Sequence, residues 1–156
     1  MSDVRWLDAD EQRTWRAYLD TTRLLVRALD RQLEADAGIS LTDYELLVQL
    51  SEAPGSRLRM RDLADRTLST RSGVTRAVTR CERLGWVRRV ECEDDRRGTL
   101  AELTPAGLDK LAATAPGHVA TVRANMFDRL TAAEQQQLGA ICTYLAENLG
   151  APASRQ

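Results

Sequence analysis

The chain has 156 residues, of which 43% are hydrophobic and 29% charged, and its formal net charge is −1. This length suits one soluble domain with a sizeable core, and a net charge near zero does not by itself indicate a nucleic-acid partner. Because no run of about 18 apolar residues exists and residues 1–13 lack the basic start and apolar centre of a signal peptide, we expect a cytoplasmic protein with no membrane segment.

Residues 9–36 are predicted to form one long amphipathic helix. Its apolar positions recur at helical spacing and comprise Trp15, Tyr18, Leu19, Thr22, Leu25, Val26, Leu29 and Leu33. Gly38 follows at once and is typical of a helix C-terminus. One face of this helix is therefore expected to be buried.

A second helix is predicted to open at Leu41. Thr42 and Glu45 have the spacing of a capping box, and Leu41 can pack on Leu46 as a hydrophobic staple. The dipeptide at 54–55, Pro-Gly, is expected to end this helix.

Residues 59–67 are predicted to form a short helix, residues 68–70 a polar turn, and residues 71–85 a further helix. The last of these has apolar positions spaced by four, three and three, which predicts a buried stripe of Val74, Val78, Cys81 and Leu84. Its opposite side carries Arg71, Ser72, Thr75, Arg76, Thr79 and Arg80.

Two strands are predicted next, over residues 86–92 and 100–103, with residues 94–99 as the connecting loop of a β-hairpin. Thr104 and Pro105 then have the pattern of a helix N-terminus. Pro116-Gly117 is expected to kink or break that helix. Thr131 and Glu134 form a second capping-box pattern and begin a last helix with Leu138, Ile141, Cys142, Leu145 and Leu149.

Enzymatic and metal-binding functions find little support in the sequence. The three cysteines, Cys81, Cys92 and Cys142, are widely spaced, and His118 is the only histidine, so neither a disulfide framework nor a zinc site is expected. The chain has no nucleophile elbow, phosphate loop or paired-acid motif. We therefore expect no enzyme and no cofactor.

The centre of the chain has a charge pattern that suits nucleic acid. Residues 57–99 carry 12 arginines and 7 acids, whereas residues 1–56 have a balance of −5. Only one of the 22 basic residues is lysine. The planar guanidinium group of arginine can donate two hydrogen bonds at once to a phosphate or to the edge of a guanine. Two helices around a tight turn followed by a hairpin with a charged tip favour a winged helix-turn-helix. The alternative at this point is a solvated, salt-bridged amphipathic helix.

Three segments from Leu63 to Thr104 and just beyond make the pattern specific. They are LADRTLSTRSGVTRAVTRCERLGWVRR at 63–89, DDRRGTLAELT at 94–104 and LTPAGLDKL at 103–111. Together they resemble the helix-turn-helix, the wing and the exit helix of the MarR family of bacterial transcriptional regulators. The resemblance implies a mainly α fold with a small β-hairpin wing, in one domain over residues 1–156.

The resemblance also implies how the chain is divided and what it binds. Residues 41–104 would be the winged DNA-binding region, and residues 1–40 and 105–156 would be dimerisation helices. A homodimer would then bind a pseudo-palindromic operator on double-stranded DNA and act as a repressor. The implied recognition-helix contacts are Ser69, Thr70, Arg71, Ser72, Thr75, Arg76, Thr79 and Arg80. In the implied DNA-binding wing, Asp95 braces Arg97, which enters the minor groove, Gly98 lets the tip turn, and Arg96 faces phosphate without a further assigned role.

Many members of the family release DNA when a small anionic aromatic compound binds. The candidates for such a pocket here are Trp15, Tyr18, Arg23, Tyr44 and His118. The spacing of Trp15 and Tyr18 equally suits a core, which we favour, and a lone histidine is more often a structural hydrogen-bonding group. Oxidation of Cys81 is a further hypothesis, although a thiol on a buried stripe is usually unreactive.

One reading from another functional class stays open. The same fold could serve as a helical dimer that acts as an adaptor or binds a small molecule without binding DNA. The arginine face separates the two, because arginines that neutralise phosphates make duplex binding fall steeply with salt.

Overall fold

The computed structural model describes residues 4–67, 69–92 and 95–150, and gives only the backbone of Cys92 and residues 95–97. The chain divides into two compact units, Met1–His118 and Val119–Gln156. The predicted boundaries at residues 40 and 104 stay predictions. In the described residues, no helix is both long enough and apolar enough to cross a membrane.

The first helix, α1, spans Ala9–Ala37. The Asp8 carboxylate accepts hydrogen bonds from the N–H groups of Asp10 and Glu11, and the Glu11 carboxylate accepts one from the Asp8 N–H at 2.9 Å. At the other end Gly38 adopts φ +65°, a left-handed conformation that glycine tolerates without strain. The predicted helix and its C-terminal glycine are confirmed.

Only the C-terminal part of α1 is buried. Leu33 is fully buried and Val26 and Leu29 pack against it, whereas Trp15, Tyr18 and Leu19 are 52%, 55% and 44% exposed. The expectation that Trp15 and Tyr18 belong to the core of this chain is therefore wrong. Helical spacing identifies an apolar stripe but does not say whether the chain itself covers it.

The second helix, α2, spans Leu41–Glu52, and its cap differs from the prediction. Ser40 is the N-cap, and its hydroxyl accepts from the Asp43 N–H at 3.2 Å. Ile39 and Tyr44 share a buried cluster and occupy the two staple positions. The capping box of Thr42 with Glu45 and the staple of Leu41 with Leu46 are wrong because the helix starts two residues earlier than that pattern requires.

Between α2 and the helix that begins at Arg71 lies an element that the sequence did not predict. Arg57–Arg59 form strand β1, and helix α3 covers only Met60–Ala64 rather than residues 59–67. Three residues are too few for a periodic signal, and β1 is defined by pairing with a distant strand. Helix α4 then spans Arg71–Arg83, close to the predicted range.

Strands β2, Val87–Cys92, and β3, Asp95–Leu103, form the predicted hairpin. The sheet order is β1-β3-β2, and both pairings are antiparallel. The loop expected over residues 94–99 is wrong for residues 95–99, which belong to β3. Thr99 pairs with Glu91, and a register shift follows between Glu91 and Cys92. Asp95 likewise pairs with Cys92, and local turn propensity could not show either pairing.

A single apolar cluster joins α2, α3, α4 and the sheet. Val74, Ala77, Val78 and Cys81 form the buried side of α4, with exposures of 1% or less. Leu84, predicted on that stripe, is 51% exposed because it lies past the last helical residue as the C-cap. The sheet and α2 thus hold α4 by one face and leave its other face in solvent.

Helix α5 spans Pro105–Asn125 and begins as predicted, since the Thr104 hydroxyl accepts from the Gly107 N–H at 3.1 Å. Of the two outcomes expected at residues 116–117, the break is wrong because the helix continues through Pro116, and the kink stays a prediction.

Helix α6 spans Ala132–Asn148 and has the predicted Thr131–Glu134 capping box. Hydrogen bonds to Thr131 hold the pKa of Glu134 below its usual value. None of the residues of α6 is buried.

Candidate nucleic-acid interface

The N-terminus of α4 is built by short polar side chains. Thr70 is the N-cap, and its hydroxyl accepts from the Gly73 N–H at 3.1 Å and lies 3.2 Å from the Ser72 hydroxyl. A Cβ on Gly73 would lie 2.2 Å from the Ser69 Oγ, so only glycine lets Ser69 fold over this turn. The first turn of α4 therefore presents the exposed hydroxyls of Thr70 and Ser72 at a helix N-terminus, which suits close approach of an anion.

The solvent face of α4 carries the predicted side chains in one row. Arg71, Ser72, Thr75, Arg76 and Thr79 are all exposed. Arg71 lies 3.8 Å from the Asp65 carboxylate, with 82% and 65% of the two side chains exposed. An exposed pair at this distance contributes little and opens easily. The Thr75 and Thr79 hydroxyls donate to the carbonyls of Arg71 and Thr75, one turn back on the same helix.

Arg80 differs from the other arginines of α4. Its Nε and Nη2 donate to the two carboxylate oxygens of Asp43 in α2, at 3.0 and 2.5 Å. The Asp43 side chain is 6% exposed, and this hydrogen bond raises the pKa of Arg80 above its usual value. Arg80 is predicted from sequence to face DNA, whereas in the structure its guanidinium binds a buried carboxylate.

A second arginine network ties the hairpin to α4. In β2, Arg89 donates from Nη1 to the Glu82 carboxylate at 2.6 Å and from Nη2 to the Thr79 hydroxyl at 2.9 Å. Arg88 pairs across the sheet with Glu102 at 2.7 Å. These bonds give Thr79 a partner within the protein and fix where the base of the wing lies relative to α4.

The tip of the wing lies largely outside the described part of the chain. The side chains of Asp95, Arg96 and Arg97 are not described, although their backbone belongs to β3. Gly98 is half-buried in the same strand. The roles assigned to these four residues stay predictions.

Among the five ligand candidates, the structure brings Tyr44 and His118 together. Their ring centroids are 4.4 Å apart with the planes tilted by 41°. Burial raises the pKa of Tyr44 and lowers the pKa of His118. Both rings are therefore neutral near pH 7.

The other three candidates lie on the exposed part of α1. Trp15 and Tyr18 stack on each other with centroids 6.2 Å apart, and Arg23 pairs with Asp20 at 2.9 Å in solvent. Within one chain these three side chains are surface groups, whereas Tyr44 is buried and His118 is half-buried.

Three residues in these networks were missed from sequence. Asp43 and Arg89 were not singled out because their partners lie in other elements. Lys110 donates to the Ala37 carbonyl at 2.6 Å and lies 5.3 Å from the Trp86 ring centroid, so it caps the C-terminal end of α1. The one available signal was Asp43 itself, an acid inside the apolar segment that begins α2.

Cys81 is the remaining group with a proposed chemistry. It is fully buried in the core beside Arg80. Desolvation, with a smaller contribution from Asp43, raises its pKa to about 12. The thiol is therefore protonated near neutral pH, which opposes the oxidation hypothesis.

Known proteins share the sequence and the architecture of this chain. A model of the MarR family matches residues 37–98, from the end of α1 to the wing. The crystal structure of Sco3205, a MarR family transcriptional regulator from Streptomyces coelicolor in complex with DNA, is 49% identical and has a TM-score of 0.89. That match covers 96% of this chain and 94% of Sco3205.

Two further relatives agree. AbsC, a MarR family transcriptional regulator from Streptomyces coelicolor, is 42% identical with a TM-score of 0.84, over 94% of this chain and 98% of AbsC. The HTH-type transcriptional repressor YetL of Bacillus subtilis (strain 168) is 27% identical over 120 residues, which are 77% of this chain and 71% of YetL. The order of helices around a three-stranded wing and the extent of these matches lead to one conclusion: the chain belongs to the MarR family of transcriptional regulators.

Proposed function

We propose that this protein is a transcriptional repressor that binds double-stranded DNA sequence-specifically as a homodimer. The observation that carries the proposal is α4, a helix with one side buried in the core and the other a row of exposed arginines and hydroxyls. Such a helix can enter a major groove without exposing apolar surface. The DNA complex of Sco3205, at 49% identity, supports this assignment.

The proposed contacts fall into two groups. Ser69, Thr70, Ser72 and the N–H groups of the first turn bind phosphates, and Arg71 joins them by leaving its weak pair with Asp65. Thr75 and Arg76 lie one turn further along and read base edges, with arginine favouring guanine. In the wing, Asp95 holds Arg97 by a charge-assisted hydrogen bond, and Arg97 enters the minor groove beside Arg96 and Gly98.

The proposed dimer is supported by two apolar surfaces, one in each unit of the chain. In the first, Trp6, Trp15 and Tyr18 are each more than half exposed. In the second, Ile141, Tyr144 and Leu149 are 57%, 67% and 87% exposed. A second copy that covers these surfaces presents two winged regions to a pseudo-palindromic operator, with half-sites about one helical turn apart.

The proposal also includes release of the DNA when a small aromatic acid binds to the protein. The buried Nδ1 of His118 and Oε1 of Gln32 have no hydrogen-bond partner among the described residues. Both are near Gly117, where a Cβ would lie 3.1 Å from the Gln32 Nε2. A planar ligand against the Tyr44 ring would satisfy the Gln32 Oε1 if it carries a hydroxyl that donates, whereas Trp15, Tyr18 and Arg23 would reach it only from the exposed part of α1.

The test begins with selection of bound fragments from genomic DNA of the host. We expect a pseudo-palindromic consensus and an affinity that falls steeply as salt rises. Arg76→Ala should relax base preference at one position of each half-site. Arg31→Ala, which removes an exposed arginine of α1 that is neither a ligand candidate nor a proposed DNA contact, is the matched control and should leave binding unchanged.

Other outcomes separate the alternatives. No duplex binding at low salt, by a protein that is folded and dimeric, would support the adaptor reading instead. Arg97→Ala should weaken binding most at A/T-rich flanks, where the minor groove is narrow, and an equal loss on every sequence would leave only a phosphate contact. Small aromatic acids are then screened for release of the selected DNA.

A further inference from the structure

Asp43 is a buried acid in the first turn of α2, and its charge partner lies 37 residues away on the recognition helix. Both of its carboxylate oxygens accept from the Arg80 guanidinium, at 3.0 and 2.5 Å. A fork of two parallel bonds fixes the angle between the side chains as well as the distance. The pair therefore joins α2 to α4 at the level of the last turn of α4.

The Asp43 end of this pair is itself held in place. The Ser40 hydroxyl accepts from the Asp43 N–H, and the Asp30 carboxylate in α1 accepts from the Leu41 N–H at 2.8 Å. On the other side, Cys81 follows Arg80 and is fully buried in the core as a neutral thiol. The backbone at both ends of the pair therefore belongs to packed elements, and the Asp43 side chain is fixed there, whereas 40% of the Arg80 side chain is exposed.

We propose that Asp43 and Arg80 are positioning residues for DNA recognition, and that Arg80 stays on Asp43 when DNA is bound. This inference rests on the proposed function of α4. The pair sets the rotation of α4 about its own axis, and with it the direction in which Thr75 and Arg76 leave the helix. Asp43 thus contributes to DNA affinity although it carries the charge that DNA repels.

The burial of Asp43 favours a positioning role for Arg80 over a phosphate contact. If Arg80 moved to a phosphate, the Asp43 carboxylate, 6% exposed, would be left without its counter-charge in a poorly solvated site. The pair of Arg71 with Asp65 has no such constraint because both side chains are mostly in solvent. The two arginines of the same helix therefore have different roles.

Matched Asp→Asn changes test the sign of the effect. Asp43→Asn should weaken operator binding about tenfold, a coupling typical of residues that share a network. Asp65→Asn removes the same charge from an exposed site beside Arg71, and should leave affinity unchanged or increase it by reducing repulsion of the phosphates. Stronger binding by both variants would overturn the proposal.

Arg80→Gln and the double variant Asp43→Asn/Arg80→Gln give the second arm. The double variant has no buried unpaired charge and is expected to fold. If the pair acts as a unit, the double variant binds no more weakly than either single variant, and the salt slope stays that of the wild type. If Arg80 contacts phosphate, Arg80→Gln lowers the slope of DNA affinity against salt concentration by about one. The loss of affinity caused by Arg80→Gln is then the same whether position 43 is Asp or Asn. The latter result would reject the positioning role.

Two further measurements distinguish a rotated helix from damaged folding, and failure of the pair from failure of the proposed function. A change in base preference at the position read by Arg76 indicates a rotated helix, whereas uniform loss across operator variants indicates only damaged folding and contradicts the proposal. Hydrogen exchange of the Arg80 Nε–H by NMR needs no DNA. Slow exchange that Asp43→Asn abolishes supports the pair even if the wild type binds no duplex, in which case the proposed function fails alone. Fast exchange in the wild type would overturn the pair.

Discussion

The apolar side chains of α2 and those of α6 are found in opposite environments in the same chain. Leu46, Leu47 and Leu50 of α2 are fully buried, whereas Ile141 and Tyr144 of α6 are more than half exposed. Both helices have apolar spacing, so the sequence pattern alone does not separate them. The winged region therefore completes its core within one chain, whereas α6 has an apolar surface suited to binding a second chain.

The largest expected effect lies where α5 packs against the winged region, at Gly107. A Cβ there would lie 2.1 Å from the Trp86 carbonyl oxygen and 2.7 Å from the Leu103 Cδ1, and the backbone contact cannot be relieved by a side-chain rotation. Gly107→Ala should lower the free energy of unfolding by roughly 3 kcal/mol or more. Urea denaturation measures this, and a loss below 1 kcal/mol would mean that α5 is less closely fixed to the sheet than described.

The next effect concerns the exposed face of α6. Ile141→Asp should raise the dissociation constant of the dimer about a hundredfold, because it places a charge in the apolar patch. Sedimentation equilibrium measures this constant directly. Gln136→Asp, on the opposite side of the same helix, is the control and should leave the dimer intact. Equal behaviour of the two variants would remove α6 from the interface.

A smaller effect sharpens the same comparison with a glycine. Gly139 has open space around its Cα and lies on the side of α6 away from Ile141. Gly139→Ala should increase the free energy of unfolding by roughly 0.5–1 kcal/mol through helix propensity. Thermal unfolding at fixed protein concentration is the measurement. Destabilisation instead would show that a neighbouring surface also covers this side of α6.

The smallest effect is the pH dependence at His118. Burial lowers its pKa, so as pH falls below about 6.5 the unfolded state takes up the proton first and stability declines until the lower folded pKa is passed. His118→Gln should flatten this part of the curve, changing Tm by less than about 3 °C. Since His118 is the only histidine, an unchanged slope in the variant would assign the decline to another group.

Much of the fold could be predicted because its signals are local. The long helices, the Gly38 and Thr131 caps and the buried side of α4 follow from spacing and short-range hydrogen bonds. Strand β1, the N-terminal extension of β3 and the Ser40 cap were missed, since each depends on pairing or on a choice between adjacent capping residues. The partner of Arg80 could not be predicted either, because Asp43 lies 37 residues away in the sequence. From sequence alone, Arg80 is therefore indistinguishable from the exposed arginines beside it.

The arginine-rich surface around α4 has one more consequence. Lys110, the only lysine of the chain, is held on the Ala37 carbonyl beside the Trp86 ring. The cations of the proposed DNA-binding face are therefore all guanidinium groups, which stay charged from neutral to alkaline pH. Acetylation of lysine cannot neutralise this face, and DNA affinity should respond to ionic strength much more than to alkaline pH.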